Sequence, residues 1–472
     1  MSFNSYGGVL FALFVLVGYQ LMRGHRAQNG FLLCCSIYFY ATSSIIFTGL
    51  LVGTIAVGFI FGILTERRQA AGKCAKAVVS IAIVILLVTL GIFKYYGFFV
   101  DSFAIVLGSF GLSPSIPTLH IILPVGISFY IFQTIGYVID VYRKEISAEK
   151  NLVDFALFVS FFPQLVAGPI ERSKNLLRQV KFQRAAVSRD DVLYGFFLIA
   201  QGYVKKVVIA DNLALYVNAI FAEDSLSSPI IWVGLLMFAI QIYGDFSGYT
   251  DIARGYSRLL GFRILLNFDR PYAATSPANF WRRWHISLSQ WFTDYVYFSL
   301  GGNRSKSLLR RNTNVLATMS LSGLWHGASA NFVLWGLYHG FLIIGGRVVG
   351  GMFPSKLKNN GIFGLASVTI TFILMLYGWM YFRITDYAQL VAYNKLIISK
   401  WDGWDVAFSF FSSGFIFLFL WVVIDCLEKY WLCIYESEVK RKAGIWLYIG
   451  ILLFLSLVIH SEDPSAFIYF RF

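Results

Sequence analysis

Charge is what this sequence has least of. Only 14% of its 472 residues are Asp, Glu, Lys or Arg, against about 25% in soluble globular chains, which excludes an ordinary soluble domain. Cysteine is also sparse. The five residues Cys34, Cys35, Cys74, Cys426 and Cys433 lie mostly in apolar runs and form no Cys-x-x-Cys pair. That argues against a disulfide framework or a metal site and makes buried, unreactive thiols the expectation. Gly-x-Ser-x-Gly, P-loop and His-Glu-x-x-His motifs are all absent, so the common signatures of serine hydrolases, NTPases and zinc proteases are missing. The first apolar run, 7–22, lacks a basic start and an Ala-x-Ala-like cleavage site and reads as a retained membrane helix. No internal repeat or low-complexity linker is visible. The chain reads as one integral membrane domain over 1–472, and the missing symmetry counts against an inverted-repeat transporter.

What is present is apolar. Hydrophobic residues make up 57% and aromatic residues 18%. Runs such as 43–64, 77–93, 361–382 and 443–460 approach or reach the roughly 20 residues that a spanning helix needs. A β-barrel would show short alternating strands instead. The expected class is therefore an all-α polytopic membrane protein with about ten to twelve hydrophobic segments, some too short to span. The net charge of +14 sits largely in short loops: 65–76, 141–150, 171–191, 254–285, 303–311 and 436–443. The positive-inside rule explains that better than nucleic-acid binding does, and anionic lipid headgroups or an anionic substrate are secondary readings. Placing these loops in the cytoplasm puts both termini outside. The short segment 152–166 then has basic loops on both sides, and a re-entrant hairpin turning at "PQLVAGPIERS" (163–173) satisfies that geometry.

Polar residues inside apolar segments carry the information, because burying them is costly. In "QIYGDFSGYTDIARG" (241–255), Gln241 and Asp245 share a helix face, followed by Asp251 and Arg254. They form either a network pinning helices together, with Gly244 and Gly248 allowing close approach, or a cavity wall that partners a histidine. In "NFDRPYAATSPANFWRRWHISLSQW" (267–291), Ser276 and Pro277 mark a helix start. From there Trp281, His285, Leu288 and Phe292 fall at helical spacing on one face, with Arg282 and Arg283 pointing elsewhere. This places the helix near the cytoplasmic interface, with arginines toward phosphates or lipid headgroups and His285 toward the interior. In "TMSLSGLWHGASANFVLWGLYHG" (318–340), His326 lies between apolar segments with Gly323 and Gly327 beside it, and a histidine at membrane depth points first to proton handling. On one continuous helix His339 would stand about 20 Å and about 220° away, so the two could not share a metal. No zinc-type spacing appears among His285, His326 and His339.

A buried histidine without an enzyme nucleophile suits acyl transfer from a thioester to an alcohol. The thioester is already activated, and the histidine need only remove the hydroxyl proton once donor and acceptor are positioned.

At these residues the sequence resembles the membrane-bound O-acyltransferase superfamily, most closely its bacterial alginate O-acetyltransferase branch, whose relatives include the D-alanyl transfer proteins of teichoic acid modification. The resemblance is carried by 243–255, 260–304, "SGLWHGASANFVLWGLYHG" (322–340) and "FIYFRF" (467–472), with 123–143 and 161–172 similar to the branch's earlier signatures. It covers about residues 30–472, with the core at about 120–350. It implies a multi-helix fold around a central tunnel, with the family's invariant histidine at His326 and its second histidine at His285. One departure is "SPANF", where the branch often carries an acidic residue near Asn279; this touches local capping. A cytoplasmic donor, acetyl-CoA or an acylated carrier protein, would enter near His285 and reach His326. The acetyl group would pass to a periplasmic partner acetyltransferase that modifies an exported polysaccharide. Arg282, Arg283 and Arg304 are candidates for the donor phosphates. Trp281, Gln241, Asp245, Trp325 and Asn331 complete the candidate substrate- and donor-binding set. No bound cofactor, metal or nucleic acid is expected, and the location is the bacterial inner membrane. D-alanyl transfer to a cell-wall polymer, or transport of an acylated intermediate without chemistry, are the competing readings.

Overall fold

The computed structural model describes residues 3, 5–111, 123–165, 168–223, 225–352, 361–435, 442–461 and 467–468. Among these residues the regular structure is all helical. The helices are α1 (Tyr6–Leu21), α2 (His25–Ala41), α3 (Ile45–Ala70), α4 (Lys76–Ser109), α5 (Ile127–Tyr142), α6 (Leu152–Ser160), α7 (Phe162–Leu165), α8 (Arg178–Lys181), α9 (Arg189–Tyr203), α10 (Asp211–Phe221), α11 (Ser228–Leu259), α12 (Pro277–Trp281), α13 (Ile286–Phe292), α14 (Leu308–His326), α15 (Ala330–Met352), α16 (Gly361–Arg383), α17 (Tyr387–Ser399), α18 (Trp404–Tyr435) and α19 (Lys442–Val458). A wider π-helical stretch, Val204–Ala210, joins α9 to α10. Starts are written locally. The side chains of Ser5, Ser44, Asn151, Ser276, Ser307 and Asp386 each accept a hydrogen bond from a backbone N–H in the first turn that follows, satisfying one otherwise orphaned donor.

Seven helical segments are long and apolar enough to cross a membrane, and four shorter apolar segments bring the count to eleven among the described residues. The chain is a polytopic all-α membrane protein. The segments differ in surroundings. In 189–221 and 228–259, 72% and 83% of the most apolar window is buried in protein, against 22–33% for the other five. Those five turn most of their apolar surface outward, as lipid contact requires, while α9–α11 are interior helices. Segment 152–166 contains the short helices α6 and α7, nine and four residues long. Nine residues rise about 14 Å, too little for a hydrocarbon core of about 30 Å.

Contacts group the chain into two compact units, Met1–Val192 with Tyr256–Leu265, and Leu193–Gly255 with Leu266–Phe472. In the first, α3 packs on α4 and α5, and α2 packs on α6. Asn29 at the start of α2 donates to Asp154 of α6 and to the Val180 carbonyl, both at 2.8 Å. In the second, α9 and α11 cross on glycines. A Cβ at Gly202 would lie 2.5 Å from the Gly248 carbonyl, and one at Gly255 would lie 2.6 Å from the Gly195 carbonyl. Only backbones that close leave no room for a side chain. The α14–α15 pair meets in the same way: the Phe332 carbonyl occupies the place of a Cβ at Gly323, and the Met319 carbonyl that of a Cβ at Gly336.

Two expectations need correction. The stretch 277–292 is not one helix. It breaks between α12 and α13, with His285 in the left-handed region at φ 42°. The cause is tertiary. The Asn267 backbone carbonyl accepts from Ile286 N, its side-chain oxygen accepts from Ser287 N and Oγ, and Asp269 N donates to the Arg283 carbonyl. His326 does lie at the junction of two helical segments, as its place between apolar runs implies, since residues 327–329 separate α14 from α15. Finally, Cys34, Cys74 and Cys426 are exposed, and only Cys35 of the four cysteines with described side chains is buried. Cys34 and Cys426 stand on α2 and α18, where a thiol that faces lipid need not point into protein, and Cys74 lies in the loop between α3 and α4.

Candidate functional site

The break at 282–285 sets the site. Ser276 caps α12 by accepting from Asn279 N, with Pro277 in the first turn, as its sequence requires. Asn279 Oδ1 in turn accepts from Thr275 N at 3.3 Å, filling the local capping position where an acidic residue was expected in relatives. The chain then reverses its hand at His285, a residue type that tolerates the left-handed region better than most. The His285 ring is fully buried, edge-on to Phe246 at 4.7 Å and to Trp325 at 5.9 Å between centroids. Burial pushes its imidazole pKa down from 6.5 to about 3. The ring is therefore neutral at physiological pH, because desolvation penalises the charged form.

His326 ends α14 and is also buried. Its ring lies 5.0 Å from Trp325, 5.0 Å from Trp335 and 5.2 Å from Phe382. Trp325 thus touches both His285 and His326, although forty residues separate them in sequence. Trp335 carries the contact on to His339, 4.8 Å away, and Trp281 meets His339 at 5.1 Å. Three histidines are joined through shared tryptophan faces in one water-poor cluster.

A cavity of about 450 Å³ opens beside this cluster. Trp281 belongs to its wall, as do Ile286, next to His285, and Ser322, one turn before His326. Arg282 and Arg347 are its two cationic wall residues. Arg347 was not anticipated, because it sits in an apolar run with no motif around it. Arg283 and Arg304 are not among the wall residues. Arg283 instead reaches the Asp269 carbonyl at 3.4 Å, and Arg304 is exposed in a short 3₁₀ turn. Asn331 is fully buried and donates to the Ile384 carbonyl at 2.5 Å and the Asp386 carbonyl at 3.3 Å. It thereby ties the start of α15 to the turn after α16.

Gln241 and Asp245 are buried on α11, but Asp245 has a different neighbourhood. Its carboxylate binds Lys206 Nζ at 2.6 Å and accepts from Ile468 N at 2.7 Å. Lys206 also binds Asp211 at 2.7 Å, while Lys205 binds Asp251 at 2.8 Å and Glu428 at 2.9 Å. This is a network that pins helices. The Lys205 carbonyl would stand 2.9 Å from a Cβ on Gly244, so that glycine does allow close approach. Sequence reasoning missed both lysines. The available signal was an adjacent Lys-Lys pair in the middle of an otherwise apolar run, which demands buried carboxylates elsewhere. Asp211, Asp245, Asp251 and Glu428 supply them.

Comparison with known proteins agrees with this arrangement. The sequence model of the MBOAT, membrane-bound O-acyltransferase family matches residues 141–385. The probable alginate O-acetylase AlgI of Pseudomonas aeruginosa is 40% identical over 383 residues, 81% of this chain and 72% of that protein. The peptidoglycan O-acetyltransferase of Helicobacter pylori is 33% identical over 357 residues, 69% and 66% of the two chains. The teichoic acid D-alanyltransferase of Bacillus subtilis is 29% identical over 241 residues, 49% and 60%. With a family match over more than half its length and a buried histidine cluster beside a cavity, this chain is a membrane enzyme and belongs to the membrane-bound O-acyltransferase family.

Proposed function

We propose that this chain moves an acetyl group from a cytoplasmic thioester, acetyl-CoA or an acylated carrier protein, for O-acetylation of an exported cell-surface polysaccharide, handing it on to a periplasmic acetyltransferase partner. The observation that carries the reading is the meeting of His285 and His326 on Trp325, beside a cavity with Arg282 in its wall. The names of the alginate O-acetylase and peptidoglycan O-acetyltransferase relatives, at 40% and 33% identity, favour acetyl as the group and a polysaccharide as its destination.

In this reading His326 is the general base. It takes the proton of the acceptor hydroxyl as that oxygen attacks the thioester carbonyl carbon. The new C–O bond replaces the C–S bond, and the proton returns to the departing thiolate. His285, neutral by burial, is a hydrogen-bonding or bracing group on the donor side rather than a cation for phosphates. That task falls to Arg282, with Arg347 as the second cation of the cavity wall, and Trp281 lines the way toward the histidines. Asp245 and Asn331 act through the helices that they hold, and Gln241 lies one turn before Asp245 on α11.

His326→Ala is expected to abolish polymer acetylation while membrane levels of the protein stay unchanged. Retained acetylation at normal protein levels would sink the assignment. The D-alanyl alternative draws on the 29% identical teichoic acid relative. Purified protein offered labelled acetyl-CoA or a labelled D-alanyl carrier separates the two, and transfer of neither group would favour a transporter.

A further inference from the structure

A second hollow, of about 620 Å³, lies in the first unit, between the segment 174–191 and the turn after α11 at 258–263. Five cationic side chains line it: Lys174, Arg178, Arg184, Arg258 and Arg263. One carboxylate, Asp191, shares the lining and serves both Arg258 at 2.7 Å and Arg263 at 3.7 Å. Glu145 holds Lys174 at 2.7 Å from outside. Five cations against two carboxylates leave an excess of three positive charges in one concave site.

The hollow is built rather than accidental. Gln179 clamps its two walls together, donating to the Arg263 carbonyl at 2.9 Å and accepting from Arg263 N at 2.7 Å. Arg184 is half-buried and fixed entirely by neutral groups. Nε donates to Tyr19 Oη at 2.9 Å, Nη1 to Asn29 Oδ1 at 2.9 Å and Nη2 to Gln28 Oε1 at 3.3 Å, and the guanidinium lies 4.4 Å from the Phe262 ring centroid. The nearest acid along that chain, Asp154, stands behind Asn29. Its charge is thus held in place but not cancelled. The Arg178 side chain is exposed and makes no hydrogen bond or ion pair among the described residues. Arginine forks arranged around an unfilled charge deficit match phosphate oxygens, and the volume suits a ligand of nucleotide or headgroup size. Phe182, 61% exposed, also lines the hollow and offers an apolar contact beside the charges.

We propose that this hollow binds a phosphate ester carrying an apolar or aromatic body. Two sources share that chemistry: the headgroup of an anionic phospholipid, and the phosphates of a soluble nucleotide thiol such as coenzyme A. The site is independent of the transfer chemistry at His326, and a His326→Ala variant binds the ligand as the native protein does.

Full-length protein carrying Arg282→Gln, which removes the phosphate contact proposed for the donor cavity, is titrated in neutral detergent with coenzyme A and, separately, with short-chain phosphatidylglycerol. Short-chain phosphatidylcholine is the control without net charge. Saturable binding of at least one anionic probe is expected, and the probe that binds identifies the source. Arg178→Gln/Arg263→Gln should weaken it at least tenfold, as should raising the salt concentration, while Lys73→Gln, in the α3–α4 loop and not in the lining, leaves it unchanged. Arg178→Glu alone has no native contact to lose, so it tests the charge without risking the fold and should give the same loss. Binding of neither probe, or equal binding with and without Arg178→Glu, would overturn the proposal.

Discussion

His285 shows how one side chain can be governed by backbone and burial at once. Its φ of 42° suits Asn, Asp or His far better than a β-branched residue, and its burial holds the imidazole pKa near 3. The unfolded chain takes up this proton near pH 6.5, whereas the native chain takes it up only near pH 3. The contribution of His285 to stability is therefore complete above pH 6.5 and is lost progressively as the pH falls toward 3. One proton gives a slope of about 1.4 kcal/mol per pH unit in that window. His285→Asn keeps a residue that accepts the backbone conformation and removes the titration. Melting of the purified variant, followed from pH 7 to pH 4, is expected to lose that part of the acid sensitivity shown by the native protein. Superimposable pH profiles would mean that the imidazole is hydrated or already charged in the folded state.

At the scale of elements, what was legible in the sequence was local and what was hidden was tertiary. The start of α12 follows from Ser276 and Pro277 because capping involves neighbours in sequence. The end of α12 does not, because it is imposed by Asn267 and Asp269, which pair with the backbone of residues 283–287 from outside the helix. The apolar spacing of Trp281, His285, Leu288 and Phe292 therefore described two short helices as one. The joining of His326 to His339 through Trp335 was similarly invisible, since it depends on how closely α14 and α15 approach. Gly323 and Gly336 set that approach. At Gly336 an added methyl group would collide with the Met319 backbone, which cannot rotate away. Gly336→Ala should then cost about 1–3 kcal/mol as an overpacked contact and lower acyl transfer by displacing Trp335 from His326. Gly345→Ala is the matched control on the same helix, because nothing lies within 4 Å of its Cβ position, and it should be nearly neutral. Equal melting temperatures for the two variants would show that the α14–α15 contact can relax.

Across the whole molecule, the balance of charge and grease becomes a statement about orientation. The chain carries 39 Lys and Arg against 25 Asp and Glu. Four carboxylates, Asp211, Asp245, Asp251 and Glu428, are committed to Lys205 and Lys206, so the loops hold the positive excess. Among the described residues there are seven segments able to span and four shorter apolar ones, but length and hydropathy do not say which side a loop faces. Positive charge in short loops does, because such loops are retained in the cytoplasm. The loop between α3 and α4 is a clean place to ask. Arg67 and Arg68 end α3, Lys73 and Lys76 flank the turn, and Cys74 between them is exposed. A chain keeping Cys74 alone, with Cys34, Cys35, Cys426 and Cys433 replaced by Ala, should resist a membrane-impermeant maleimide in spheroplasts and react with it in inverted membrane vesicles. Labelling in spheroplasts would reverse the orientation. It would overturn the cytoplasmic placing of the basic loops and with it the cytoplasmic route proposed for the donor, leaving the family chemistry in place but requiring the acyl group to arrive from the other side.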